Sequence, residues 1–141
     1  TRRISHNLMP LSLSNRSLEK ALENYCQENS TDKLKIHFAN NGEPISEISQ
    51  TDQLIIFRAI QELIQNVQKH TASAICHVQI SSDPSHYIFS VEDEGTFFNK
   101  DQIENNSALK TSENRIESIG GFMEFDTENN RGSLICIYLK K

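Results

Sequence analysis

Residues 51–70 of the chain read TDQLIIFRAIQELIQNVQKH, and this stretch decides the fold. Its large apolar side chains recur every three or four positions, which predicts one amphipathic helix over residues 51–70. The apolar residues are Ile56, Phe57, Ile60, Leu63, Ile64 and Val67. The residues on the opposite side are Arg58, Glu62, Asn66, Lys69 and His70. Because successive side chains are about 100° apart, the helix has one face for a core and one polar face.

Shorter patterns on both sides of this helix predict strands. Alternating or continuous apolar runs indicate β-structure over residues 34–38, 74–80, 87–91, 122–125 and 134–139. Asp83, Pro84 and Ser85 are typical turn residues, so the second and third of these strands should form a hairpin. The last two strands should form another hairpin, joined through residues 129–132.

Two further segments predict helices, and a third predicts a functional loop. Apolar residues at helical spacing over 13–25 predict a leading helical arm, with a kink or a new helix start near Pro10. Ile116 and Ile119 indicate a short helix that Gly120 and Gly121 end. Residues 95–110 are polar and aperiodic, and a stretch of this length indicates a lid over a functional site.

Composition excludes several classes of protein. The 141 residues are 36% hydrophobic, which suits one compact domain with its own core. The net charge of −5 lacks the basic excess that nucleic-acid binding needs. The longest apolar run, residues 54–57, is too short to span a membrane, so we expect no membrane contact by this part of the protein. Three cysteines without C-x-x-C spacing fit a reducing compartment, so we expect a cytoplasmic location.

The polar face of the 51–70 helix is the first candidate site. Glu62 and Asn66 are four residues apart, so a carboxylate and a carboxamide oxygen project from the same side. Mg²⁺ prefers such oxygen ligands and takes only one or two from the protein when a phosphate substrate supplies others. Lys69 and His70 follow one turn later and are placed to approach the same phosphates. The alternative interpretation is an ordinary solvated helix face.

A second candidate site lies where a predicted strand ends. Asp93 follows this strand and stands two residues before Gly95. A carboxylate there could accept a hydrogen bond from an exocyclic amine, while glycine lets the backbone approach a ligand closely. The alternative interpretation of this motif, taken alone, is a loop with ordinary turn chemistry.

The order and spacing of these motifs resemble the ATP-binding domain of sensor histidine kinases. The residues that carry the resemblance are Glu62, Asn66, Lys69, His70, Asp93, Gly95, the run 115–121, Gly132 and Ser133. Residues 3–10, around His6, are similar to the segment that carries the phosphoacceptor histidine in the same family. The resemblance implies an α/β two-layer sandwich of the Bergerat or GHKL type, with a mixed sheet packed against helices and preceded by a helical arm. Residues 1–30 would then belong to the dimerisation and histidine phosphotransfer region, and residues 31–141 to the ATPase domain.

The resemblance also implies roles for single residues. Asn66 would ligate Mg²⁺ and Glu62 would act beside it, through water or as a base. The nucleotide-binding residues would be Asn66, Lys69, His70, Asp93, Gly95 and Ser133. ATP would donate its γ-phosphate to His6, and the phosphoryl group would pass to an aspartate on a response-regulator receiver domain. The full-length protein would be a homodimer.

Four residues depart from the pattern of the family, among them Asn7, which follows His6 where many relatives carry an acidic residue. Phe97 replaces a glycine after the Asp-x-Gly step, and Asn106 and Ala108 replace both glycines of the family's Gly-x-Gly-Leu motif. Since glycine permits backbone angles and close approaches that other residues do not, the lid should close less well on a triphosphate. The alternative function is therefore a non-catalytic module of the same fold, used for dimerisation or for docking a response regulator.

Overall fold

The computed structural model of this chain describes residues 17–42, 45, 47–70, 75–93, 105–126 and 132–141, without the side chain of His70. Within these residues the chain forms three helices and five strands. In chain order they are α1 (Leu18–Asn29), β1 (Lys35–Asn40), α2 (Gln50–His70), β2 (Ile75–Ser82), β3 (His86–Asp93), α3 (Ser107–Ser118), β4 (Gly121–Asp126) and β5 (Ser133–Lys140). The predicted α/β class is confirmed. The segment 51–70, with its strong apolar periodicity, forms nearly all of α2, the longest of these helices.

The five strands form one mixed sheet in the order β1-β2-β3-β5-β4. β1 and β2 are parallel, and every other neighbouring pair is antiparallel. A parallel pair needs a long crossover connection, which α2 supplies. The predicted hairpin is confirmed, because β2 and β3 are antiparallel neighbours. In the turn between them, Asp83 Oδ1 accepts the backbone N–H groups of Ser85 and His86 at 2.8 and 2.7 Å.

The core lies between one face of the sheet and the helices. Tyr87, Phe89 and Val91 alternate along β3 and are all buried, at 6%, 1% and 2% exposure. Since side chains of a strand point alternately to opposite faces, this pattern identifies the face that the helices cover. Opposite it, Ile60 and Leu63 of α2 are fully buried. The result is the two-layer sandwich that the resemblance implied.

Helix α1 belongs to the same core. Leu18, Ala21 and Leu22 have no exposed surface, and Cys26 is 1% exposed. These residues form one buried cluster with the strands, and α1 contacts both β1 and α2. Ser17 caps the helix, since its Oγ accepts the N–H of Lys20 at 3.3 Å. Pro10, where a kink was predicted, lies outside the described residues.

The predicted lid ends earlier than the sequence indicated. Residues 107–110 belong to α3, so the last four residues of the predicted 95–110 lid are helical. Helix α3 begins at Ser107 because Asn106 caps it: Asn106 Oδ1 accepts the backbone N–H of Leu109 at 3.0 Å. Leu109 is 1% exposed and anchors this first turn in the core. Residues 95–104 lie outside the described residues.

Candidate functional site

The polar end of α2 carries a pair of side chains in direct contact. Asn66 is 3% exposed although it is polar. Its Nδ2 donates to the backbone oxygen of Glu62 at 2.8 Å and to Glu62 Oε2 at 2.9 Å. Both residues lie on α2 one turn apart, so the helix itself brings them together as the sequence predicted. The carboxamide oxygen of Asn66 consequently points away from Glu62.

That oxygen contacts α3. Asn106 Nδ2 donates to Asn66 Oδ1 at 2.8 Å, across forty positions of sequence. Asn106 therefore has two functions: its oxygen caps α3 and its nitrogen joins α3 to α2. In the sequence pattern, Asn106 stands only as a residue that replaces a family glycine. An Asn directly before a helical run is a recognisable cap signal, whereas its contact with Asn66 depends on tertiary packing that local patterns do not contain.

A second pair lies at the end of the sheet. Asp93 is the last residue of β3 and pairs in register with Ser133, the first residue of β5. Both side chains are buried, at 1% and 5% exposure. Asp93 continues the alternation of Phe89 and Val91, so it lies on the face of the sheet that the helices cover. Gly132 precedes Ser133 with a φ of +83°, a backbone conformation that favours glycine.

The chain connection places these two pairs at the same end of the sandwich. Residues 71–74 alone separate the end of α2 from the start of β2. The second residue of β2, Cys76, pairs in register with Asp93. The pKa of the Cys76 thiol is raised to about 12, chiefly by burial, and the nearby charge of Asp93 contributes to this shift. The Asp93 carboxylate therefore lies next to a thiol that burial keeps neutral. Such a region has low polarity, and hydrogen bonds to a ligand are stronger there.

The remaining predicted site residues have different positions. Lys69 lies on α2 and is exposed. His70 ends α2, but its side chain lies outside the described residues, as do Gly95 and His6. The structure therefore brings together Glu62 with Asn66, and Asp93 with Ser133, in the described part of the chain.

Two side chains near the end of α2 carry oxygen atoms that could bind a cation. Glu62 and Asn66 supply a carboxylate and a carboxamide, which are ligands for a hard cation such as Mg²⁺. Within the described ranges, no group of three or more His, Cys, Asp or Glu side chains is arranged to hold a metal ion. An ion here would therefore need further ligands from water and from a bound phosphate. No helix in the described part of the chain is both long and apolar enough to cross a membrane.

Comparison with known proteins agrees with this architecture. Residues 51–141 match the family model described as histidine kinase-, DNA gyrase B- and HSP90-like ATPase. Sensor histidine kinase ComP of Bacillus subtilis is 24% identical over 94% of this chain and 18% of its own length. Signal transduction histidine-protein kinase/phosphatase DegS of Brevibacillus brevis is 25% identical over 96% of this chain and 36% of its own length. The chain thus spans well under half the length of these relatives.

A solved structure shows the same fold. The histidine kinase domain of the E. coli osmosensor EnvZ matches with a TM-score of 0.66 and 20% identity, covering 87% of this chain and 85% of that one. The chain therefore belongs to the histidine kinase-, DNA gyrase B- and HSP90-like ATPase family.

Proposed function

We propose that this chain binds Mg-ATP at the end of the sandwich that carries Asn66 and Asp93, and that it transfers the γ-phosphate to His6. One observation supports this proposal above all. The Glu62–Asn66 pair and the Asp93–Ser133 pair lie at one end of the molecule and on the same side of the sheet. That arrangement offers one polar pair for phosphates and another for a base.

The base would lie against Asp93. An ionised carboxylate only accepts hydrogen bonds, so it suits the exocyclic amine of adenine. Ser133, directly opposite, can donate and accept through its hydroxyl and would support the same contact. Gly95 would border the base, as the resemblance implies.

The phosphates would lie near the polar end of α2. Asn66 and Glu62 would supply the protein oxygen ligands of Mg²⁺ there, a carboxamide oxygen that faces α3 and a carboxylate. When bound, the ion would neutralise charge on the phosphates. Lys69, exposed on α2, and His70 would contribute positive or hydrogen-bonding groups to the same phosphates. Binding, orientation and exclusion of water would be the contributions of the chain itself.

The acceptor and the later partners extend the same proposal. His6 would attack the γ-phosphorus in line through an imidazole nitrogen, with ADP as the leaving group, and the resulting phosphohistidine would pass its phosphoryl group to a receiver-domain aspartate. The complete protein would act as a homodimer in the cytoplasm. The resemblance implies that residues 1–30 form the histidine-bearing region. Since α1 is buried in the ATPase core, we propose that this region ends before Ser17.

Calorimetric titration with a non-hydrolysable ATP analogue, with and without Mg²⁺, tests the site. Asn66→Ala should abolish the Mg²⁺-dependent part of the affinity, whereas the matched variant Gln68→Ala, at an exposed position of the same helix, should retain it. Unchanged Mg²⁺ dependence in Asn66→Ala would remove Asn66 from the phosphate site. Failure of the unaltered chain to bind nucleotide would favour the non-catalytic alternative.

Transfer to histidine needs a separate experiment with the full-length dimer. Acid-labile label from γ-labelled ATP should appear in the unaltered protein and disappear in His6→Gln. Label that persists in His6→Gln would place the acceptor on another residue.

A further inference from the structure

A continuous series of hydrogen bonds joins α3 to α2. The N–H of Leu109 donates to Asn106 Oδ1 at 3.0 Å, and Asn106 Nδ2 donates to Asn66 Oδ1 at 2.8 Å. Asn66 Nδ2 in turn donates to the backbone oxygen of Glu62 at 2.8 Å. A backbone N–H only donates and a backbone carbonyl only accepts, so the two ends of the series fix the orientation of both carboxamides. The atom that Asn66 directs at α3 is therefore its oxygen.

This oxygen is the atom that the proposed function assigns to Mg²⁺. In the structure it already accepts a hydrogen bond from Asn106, and Asn66 is 3% exposed. Mg²⁺ requires near-octahedral coordination and keeps several water molecules, so it needs free space beside the ligand oxygen. Asn106 occupies that space and uses one of the two lone pairs. The Asn66 oxygen is thus covered in the arrangement that the structure shows.

The two functions of Asn106 are separable because they use different atoms. Its Oδ1 caps α3, while its Nδ2 binds Asn66. Rotation of the Asn106 side chain or a shift of the first turn of α3 would free Asn66 without opening the sheet. The glycine expected at this position from the resemblance has no side chain and could not make the contact.

We infer that Asn106 sets the affinity of the site for Mg-nucleotide, because its carboxamide competes with the metal ion for the oxygen of Asn66. This inference rests on the proposed function. The Asn106–Asn66 hydrogen bond joins α3 to α2 in the structure, and binding of the metal ion must exchange this hydrogen bond for a metal ligand. One hydrogen bond between neutral groups corresponds to roughly a two- to tenfold change in a binding constant.

Asn106→Ser separates the two functions. Serine is as good a helix cap as asparagine, but its hydroxyl lies too close to the backbone to reach Asn66. The matched control is Asn105→Ser, because Asn105 is the exposed neighbour. Calorimetry with the non-hydrolysable ATP analogue and Mg²⁺ should show about two- to tenfold tighter binding for Asn106→Ser and no change for Asn105→Ser. With EDTA in place of Mg²⁺, the affinity of Asn106→Ser should equal that of the unaltered chain.

A spectroscopic measurement follows the same contact directly. When Mg-nucleotide is added to the unaltered chain, the side-chain amide resonances of Asn106 should move towards those of a solvent-exposed carboxamide. The backbone resonance of Leu109 should change little, since the cap remains. Weaker or unchanged Mg²⁺-dependent binding in Asn106→Ser, or fixed Asn106 resonances on binding, would overturn the competition. If Asn66→Ala nevertheless loses Mg²⁺ dependence, the proposed function stands and this inference alone fails; if no variant binds nucleotide, both fail.

Discussion

Asp93 and Ser133 are register partners across β3 and β5, and both are buried on the side of the sheet that the helices cover. Their neighbours on the same face are apolar core residues such as Val91 and Ile135. Burying a carboxylate among apolar groups is costly unless it has a partner or a function. The pair therefore places polar groups within the apolar core, at the end of the sandwich where α2 also ends.

The first prediction concerns the base. Asp93→Asn replaces one acceptor oxygen by an NH₂ group, which cannot accept from the exocyclic amine of adenine. We expect ATP affinity to fall by about ten- to a hundredfold, the loss typical of a hydrogen bond to a charged group. GTP, which has no amine at that position, should lose much less. Competition titrations with both nucleotides measure the ratio.

Glu92→Gln is the matched control for that experiment. Glu92 precedes Asp93 on β3 but is exposed on the opposite face of the sheet. It should leave both affinities unchanged. Equal losses for ATP and GTP in Asp93→Asn would show that Asp93 does not read the base.

The second prediction concerns the turn that leads from α3 into β4. A Cβ added at Gly121 would lie 2.5 Å from the backbone oxygen of Tyr138, closer than real contacts allow. Gly121→Ala must therefore push β4 away from β5, and we expect it to lower the free energy of unfolding by about 1–3 kcal/mol or more. Urea denaturation measures this loss.

Gly120 provides the comparison with Gly121, because a substitution there is restricted by the backbone conformation and not by a steric clash. Its φ is +89° and a Cβ there would meet nothing within 4 Å. Asn tolerates this backbone region better than Ala does, so Gly120→Asn should be more stable than Gly120→Ala. If Gly121→Ala is as stable as the unaltered chain, the close approach of Tyr138 is not a constraint in solution.

The third prediction uses the thiols. Burial raises the pKa of Cys26 and of Cys76 to about 12, and Cys136, which is only half-buried, has a pKa raised chiefly by the same cause. The thiolate is the reactive form. At pH 8 the folded chain should therefore react slowly with iodoacetamide, first at Cys136. Mass spectrometry after timed labelling gives the order, and all three should react rapidly in denaturant.

The same shifts give a direction for stability at high pH. The folded pKa of Cys26 and Cys76 lies above the ordinary value of 9.0, so the folded state favours the protonated thiol. This contribution is fully present below about pH 9 and is lost as the pH rises towards 12. Urea midpoints measured from pH 8 upwards should decline over this range, and less steeply in Cys26→Ala. An equal slope in that variant would contradict the assignment.

Local features of the fold were predictable from sequence, and contacts between distant segments were not. The apolar period of residues 51–70 and the alternation of the strands are local, and both predicted their elements. The contact of Glu62 with Asn66 follows from helix geometry alone. In contrast, Asp93 and Ser133 are forty positions apart, so only the family resemblance associated them before the structure showed their register.

Asn106 illustrates which features of the candidate site the sequence does not predict. Its polar neighbours Asn105 and Ser107 favour a continuous loop, so the sequence pattern predicts a later start for α3 than the structure has. The N-cap signal was local and could have been found. The hydrogen bond to Asn66 arises from the packing of α3 on α2, which no periodicity encodes.

The last prediction concerns where the folded ATPase domain begins. Ser17 caps α1, and Leu18, Ala21 and Leu22 are completely buried against the sheet and α2. Removal of residues 1–29 should therefore expose the apolar surface under α1 and cause unfolding or aggregation. Circular dichroism on heating compares the shortened chain with the unaltered chain.

A point variant tests the same packing without shortening the chain. Leu22→Ala creates a cavity in the core and should cost about 2–5 kcal/mol of unfolding free energy. Glu28→Ala, at an exposed position of the same helix, should cost less than about 0.5 kcal/mol. Two results together would contradict this prediction: cooperative unfolding of the chain without residues 1–29 at the original midpoint, and equal stability of Leu22→Ala and Glu28→Ala. In that case α1 contributes nothing to the core, and the ATPase domain begins after Ser30, as the resemblance implies.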